Sequence, residues 1–159
     1  MQYRNICVSV ALQRYLDFTP MALRQRELAR MVAAACGSAI RVLSVNAPVA
    51  LLPGLETTED KIERYAAPLV EAGFDVQTKV LEGRPSREIA RYVEDSAIDL
   101  LIMGTHSKRG VFDVGLGSTA AAIPEGLPAE VILLRPTVAD QQRTLELMIP
   151  KYPFVFPYG

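Results

Sequence analysis

The residues best suited to chemistry lie in one run, Met103-Gly-Thr-His-Ser-Lys-Arg-Gly-Val-Phe-Asp-Val-Gly-Leu-Gly-Ser-Thr119. Gly104, Gly110, Gly115 and Gly117 let a backbone approach a ligand closely and adopt dihedrals closed to other residues. Lys108 and Arg109 add positive charge, and the Ser118 and Thr119 hydroxyls can bond phosphate oxygens or a metal-bound water. The run follows an apolar stretch, Asp99–Met103, and leads into Ser118–Gly126, expected as a short helix interrupted by Pro124. A helix beginning near Ser118 would aim free N–H groups and its positive dipole end at an anion. The chemistry suggested is phosphate binding, set against the plainer reading of a glycine-rich connecting loop. The spacing is not that of Walker A. Nor is there a dinucleotide fingerprint, since the first strand is followed by Ala11-Leu12-Gln13-Arg14 without glycine.

Catalytic groups are scarce. His106 is the sole histidine, which excludes a multi-histidine metal site and leaves one candidate base for a Ser-His-Asp triad. Asp113 is the only carboxylate inside the loop and reads as solvated, so no catalytic residue and no metal ligand is assigned. Glu56, Glu59, Asp60 and Glu63 alternate with Lys61 and Arg64, the pattern of a solvated helix face with surface ion pairs. Cys7 and Cys36 fall on an apolar strand and an apolar helix face and read as small buried hydrophobes rather than a disulfide.

Strands and helices must carry this loop. Residues 5–10 read as a buried strand. Thr19-Pro20 opens a helix with threonine as cap and proline at its first position, and Gly37 stops it. Ile40–Val45 is the second strand. Thr57–Ala72 is the second helix, with Ile62, Tyr65, Ala66 and Leu69 on one face and Pro68 bending it. Phe74 to Val80 alternate as a third strand, Pro85 opens a third helix, and Asp99–Met103 and Val131–Leu134 are strands four and five. Strands two, four and five are nearly continuous apolar runs, as when both faces are covered. Alternating strands and helices predict a single open five-stranded parallel sheet with helices on both faces. Val138–Ile149 could be a last helix, followed by an aromatic, proline-rich tail ending at Gly159.

The run Ile102-Met-Gly-Thr-His-Ser-Lys-Arg-Gly110, then Leu116-Gly-Ser118 and a strand ending Leu133-Leu-Arg-Pro136, resembles the universal stress protein signature. Nucleotide-binding members carry Gly-x2-Gly-x9-Gly-Ser/Thr there; this chain reads Gly104-x2-Ser107-x9-Gly117-Ser118, with the spacing kept and the second glycine replaced. The likeness spans residues 4–136 and includes Glu82-Gly-Arg-Pro85 before the third helix. It implies a Rossmann-like fold of the adenine nucleotide alpha hydrolase type over residues 1–136, with 137–159 as a C-terminal helix and tail. It also implies a nucleotide site. Ser107, Gly117, Ser118 and Thr119 would meet the phosphates, with Lys108 and Arg109 beside them and Gly104 near the ribose. The end of strand one at Ala11, with Val45 on strand two, would meet the adenine, and Met103 ends the fourth strand within the same site. The ligand implied is ATP or AMP, with Mg if ATP. Such members usually have aspartate where this chain has Ala11.

A balance of 17 basic and 18 acidic residues gives no general pull toward nucleic acid, and no apolar run is long enough to span a bilayer. Residues 1–5 lack the features of a signal peptide, so a cytoplasmic protein is expected. The resemblance further implies a homodimer through strand Val131–Leu134. Tyr152, Phe154, Phe156 and Tyr158 alternate in the tail, so an extended chain would put them on one face for docking on the chain itself or on a protein partner. Two functions follow: a stress-response or regulatory protein that binds nucleotide without significant turnover, or a nucleotide-free dimeric interaction module of the same fold.

Overall fold

A computed structural model describes residues 3–49, 53–105 and 126–149. Five strands, β1 (Asn5–Ser9), β2 (Ala39–Asn46), β3 (Val76–Glu82), β4 (Leu100–Gly104) and β5 (Glu130–Leu134), form one sheet in the order β3-β2-β1-β4-β5. Every pairing is parallel, with Ile6 beside Ile40 on one neighbour and Leu100 on the other. The helices are α1 (Pro20–Cys36), α2 (Thr58–Glu71), α3 (Pro85–Asp95) and α4 (Val138–Leu147). The fold class expected from the sequence is the one found. The helix expected over Ser118–Gly126 lies outside the described residues, save Gly126 itself.

Local chemistry explains the helix ends. The Thr19 hydroxyl accepts from the Ala22 N–H and Pro20 stands at the first turn, while Gly37 ends α1 in the left-handed region at φ 71°. Thr57 caps α2 through the Asp60 N–H, and Pro68 is tolerated inside it near the C-terminal end. Thr137 and Asp140 form a reciprocal capping box that starts α4.

Alternation along the strands divides the core. Ile6, Val8, Ile40, Val42, Leu100 and Ile102 pack on one face against Ala22, Ala29 and Ala33 of α1 and Ile62, Tyr65 and Leu69 of α2. On the other face Cys7, Leu43, Leu101 and Met103 pack against Ile89 and Val93 of α3. Tyr65 is fully buried, its hydroxyl donating to the Ala22 carbonyl and its ring meeting Phe18 edge-on at 5.2 Å. At the sheet's amino edge the Asp99 carboxylate accepts the Arg4 and Asn5 N–H groups.

Two expectations need correction. β5 is not covered on both faces: Val131 and Leu133 are 39% and 37% exposed. It is the sheet's edge, and among the described helices α3 packs mainly over β2 and β3. Cys36, the last residue of α1, is only half-buried, whereas Cys7 is buried as expected; both are free thiols. Among the described residues no helix is long and apolar enough to cross a membrane.

Candidate functional site at the carboxyl edge of the sheet

Strand order reverses between β1 and β4: β1 leads through α1 on one face to β2, and β3 leads through α3 on the other face to β4. A crevice at the carboxyl ends of these two strands is where open α/β sheets bind ligands. α1 closes the bottom of that crevice. Gln25, 2% exposed, donates from its Nε2 to the Ser9 carbonyl at 2.7 Å and the Ile102 carbonyl at 3.2 Å. One amide thus ties the ends of β1 and β4, and its buried Nε2 finds two carbonyl acceptors there.

Gly104, the last residue of β4, lies under the first turn of α1. A Cβ there would run into Met21 Cγ and stand 2.9 Å from its Sδ, so close helix–strand packing requires glycine. Thr105 follows, its N–H bonded to the Leu134 carbonyl at 2.9 Å. Its buried hydroxyl has no hydrogen-bond partner, and it stands where the glycine-rich loop begins.

Of the ten residues expected at the site, Ala11, Val45, Met103 and Gly104 are described, all at this edge. Ser9 pairs with Leu43 and Met103, so Ala11, two residues further on, stands at the level of Val45. Ala11 is exposed; Val45 and Met103 turn toward the α3 face. Ser107, Lys108, Arg109, Gly117, Ser118 and Thr119 lie outside the described residues.

The segment after Ala11 is held from several sides. The Lys61 ammonium of α2 donates to the Leu12 and Tyr15 carbonyls at 2.8 and 2.7 Å, and the side chain is 2% exposed. Burial pushes this ammonium below the ordinary lysine value, with Glu56 nearby opposing the shift. The sequence reading of Lys61 as a surface ion-pairing group is therefore wrong. Its neighbour Arg64 does pair at the surface, with Glu56 at 2.8 Å and Asp17 at 3.2 Å, and its hydrogen bond holds the Glu56 carboxyl low. The Gln13 amide exchanges two 3.0 Å bonds with the backbone of Ala47, and Thr58 donates to the Asn46 Oδ1 at 2.9 Å.

From the far side, Leu16 N–H donates to the Leu147 carbonyl and Ile149 N–H to the Arg14 carbonyl, at 2.8 and 2.7 Å. These bonds frame an antiparallel bridge between Tyr15 and Met148. Between Gln13, Asn46, the start of α2 and Ile149 opens a cavity of about 310 Å³.

No buried role was assigned from the sequence to Gln25, Lys61 or Gln13. For the first two it could have been: Gln25 falls in the stripe Met21, Ala22, Gln25, Ala29, Ala33, and Lys61 in the stripe Thr58, Lys61, Ile62, Tyr65, Leu69, both at helical spacing. Among the described residues no three His, Cys, Asp or Glu side chains gather as a metal site.

Universal stress protein MJ0577 of Methanocaldococcus jannaschii is 35% identical over 63 residues, 40% of this chain and 39% of that protein, so the chain matches less than half of that relative's length. The solved structure of MJ0577 superposes with a TM-score of 0.66 at 19% identity, covering 86% of this chain and 99% of the other. A universal stress protein in complex with cAMP gives 0.63 at 19% identity, over 85% and 98% of the two chains. A family protein from Arabidopsis thaliana with AMP bound gives 0.57 at 15% identity, over 86% and 94%. At these identities the structures establish the fold. The family itself follows from the universal stress protein model, which matches residues 15–135: this chain belongs to the universal stress protein family.

Proposed function

We propose that this chain is a regulatory universal stress protein that binds ATP or AMP at the crevice between β1 and β4 and acts through occupancy. The observation that carries the reading is the loop's position. Residues 104–119 begin at the carboxyl end of β4, on the switch point of a parallel sheet, with the spacing Gly104-x2-Ser107-x9-Gly117-Ser118 intact. Solved relatives in complex with cAMP and AMP support an adenine nucleotide as the class.

The described residues fit such a ligand in part. The unpartnered Thr105 hydroxyl supplies a polar group at the mouth of the loop. Ser107, Ser118 and Thr119 would take the phosphates, with Lys108 and Arg109 balancing their charge and Mg accompanying ATP. The methyl of Ala11 offers the nucleotide no polar contact, and Gln25 already occupies the Ser9 and Ile102 carbonyls. Those two facts favour a second reading, a nucleotide-free interaction module that keeps the crevice's shape. In either case we place the work in the cytoplasm, and the exposed edge of β5 suits pairing with a second copy. Occupancy rather than turnover is the mode of action proposed.

The test is chromatography of nucleotide released on denaturing the purified protein, with calorimetric titration of ATP and AMP. Released or titratable nucleotide, weakened at least tenfold by Gly117→Val, supports the first reading. Absence of any binding at millimolar nucleotide overturns it in favour of the second.

A further inference from the structure

Ser9 pairs with Leu43 on one side and with Met103 on the other. The ladder continues past the strand ends: the Val10 N–H donates to the Leu43 carbonyl and the Thr105 N–H to the Leu134 carbonyl, each at 2.9 Å. Val45, Ala11 and Thr105, each two residues beyond that row, therefore stand side by side at the carboxyl edge. By alternation they share the face of Leu43 and Met103. Val45 is half-buried and apolar, and Ala11 is exposed and ends in a methyl. Thr105 is 2% exposed, and among the described residues its hydroxyl has no hydrogen-bond partner. Buried polar groups nearly always find one, so the exception needs a physical cause.

We propose that the Thr105 hydroxyl is the polar anchor of the crevice floor, satisfied when the nucleoside part of a ligand lies across Ala11, and that it helps to set which ligand is held. The inference rests on nucleotide binding at the β1–β4 crevice and names a residue that determines its specificity.

Three observations single out this hydroxyl. Neighbouring strands are roughly 4.8 Å apart, so a planar group seated on the Ala11 methyl brings its edge within hydrogen-bond reach of the next strand's side chain. The short side chain at Ala11 leaves that approach open, and the exposure of Ala11 shows that the row is accessible at its centre. The polar backbone groups around it are already engaged. The Ser9 and Ile102 carbonyls accept from Gln25, the Val10 carbonyl accepts from the Ser44 hydroxyl at 2.8 Å, and the Thr105 N–H is spent on Leu134. A threonine hydroxyl both donates and accepts, so it can meet a ring nitrogen, an exocyclic amine or a sugar hydroxyl. The floor then holds one polar group at the β4 side and apolar surface at Ala11 and Val45, an arrangement that suits a flat base or sugar with a polar rim.

The experiment is calorimetric titration of AMP into the full chain, freed of any nucleotide that purifies with it, and into Thr105→Val and Thr105→Ser. The valine keeps the shape and removes the hydroxyl; the serine keeps the hydroxyl. Thr105→Val should weaken AMP about five- to tenfold, the size of one lost hydrogen bond, and Thr105→Ser should stay within about twofold of wild type. Because the hydroxyl is unpaired in the ligand-free chain, Thr105→Val should melt at or above the wild-type temperature without AMP. AMP lacking both ribose hydroxyls locates the bond. A loss on Thr105→Val that disappears with this ligand supports a sugar contact, and one that persists supports a contact to the base. Equal AMP affinity of wild type and Thr105→Val would overturn the proposal while leaving nucleotide binding intact. A ligand-free melting temperature lowered by Thr105→Val but not by Thr105→Ser would overturn it too, because the hydroxyl would then be spent within the chain. A wild type that binds no AMP at millimolar concentration would overturn nucleotide binding itself, and the anchor with it.

Discussion

The junction after β1 and the edge strand β5 put opposite residues in opposite places. At the junction a lysine is buried, surrounded by chain, with its charge spent on two backbone carbonyls. At β5 two large aliphatic side chains, Val131 and Leu133, meet solvent. Position in the sheet decides both. β1 is central, and the Leu12–Tyr15 turn that follows it packs against α2 and the segment after α4, so its buried carbonyls need a donor supplied from within. β5 is last in the sheet, and Val131 and Leu133 lie on the face away from the α1-side cluster that Ile132 and Leu134 join. Side-chain polarity alone identifies neither environment; topology does.

The strongest way to break that contrast is to remove the charge at the junction. Lys61→Met keeps the apolar stem but leaves the Tyr15 carbonyl without its Lys61 donor and the Leu12 carbonyl with only the Tyr15 N–H, a cost of about 1–3 kcal/mol for a buried orphan. Relief of the ammonium's own desolvation offsets part of this, so a net loss of about 1–3 kcal/mol is expected in urea denaturation at neutral pH. The pH dependence has a defined sign. Burial lowers the folded-state value of Lys61, so between that value and the unfolded lysine value of about 10.4 the unfolded chain binds more protons, and stability rises with pH. The wild type's advantage over Lys61→Met should therefore widen as pH climbs toward that upper value. A variant as stable as wild type, with no such widening, would mean that the ammonium is not what holds the junction.

The same contrast explains what was legible in the sequence. Caps and apolar runs act locally, so Thr19-Pro20, Gly37 and Thr57 marked helix ends correctly and the strands emerged in order. Alternation of strand and helix then left a parallel sheet as the economical arrangement. Lys61 was misjudged because its sequence neighbours Glu59, Asp60 and Glu63 suggest a solvated face, although its spacing from Ile62 and Tyr65 places it on the buried one. Gln25 was passed over because a single polar residue in a stripe of small residues gives no hint of the two strand ends it will meet. Gly104 was read for its place near a ribose, whereas the structure accounts for it by the approach of Met21. Only the three-dimensional crossing of α1 over β4 reveals that.

A smaller effect sharpens the junction side. Gln13→Ala removes both bonds between its amide and the Ala47 backbone. These groups are only half-buried and can be rehydrated, so a loss of about 1 kcal/mol is expected, less than at Lys61. Thermal melts of the two variants side by side measure the order. If Gln13→Ala costs more than Lys61→Met, then the β2 contact, not the buried ammonium, dominates the junction.

The smallest stability change belongs to β5, and there the informative readout is assembly. Val131→Lys replaces a side chain already 39% exposed, so folding stability should move by less than about 0.5 kcal/mol. A lysine on an open strand edge is also a common guard against strand addition. If β5 pairs with a second copy, Val131 and Leu133 are covered in the dimer, and an ammonium placed among them must be desolvated or must open the contact. Sedimentation of the wild type as a dimer and of Val131→Lys as a monomer of unchanged melting behaviour would show that the apolar edge persists because a partner covers it. A wild type that stays monomeric at hundreds of micromolar would mean that β5 tolerates solvent on its own. Its contrast with the junction would then reflect the loose packing of an edge strand and nothing about assembly.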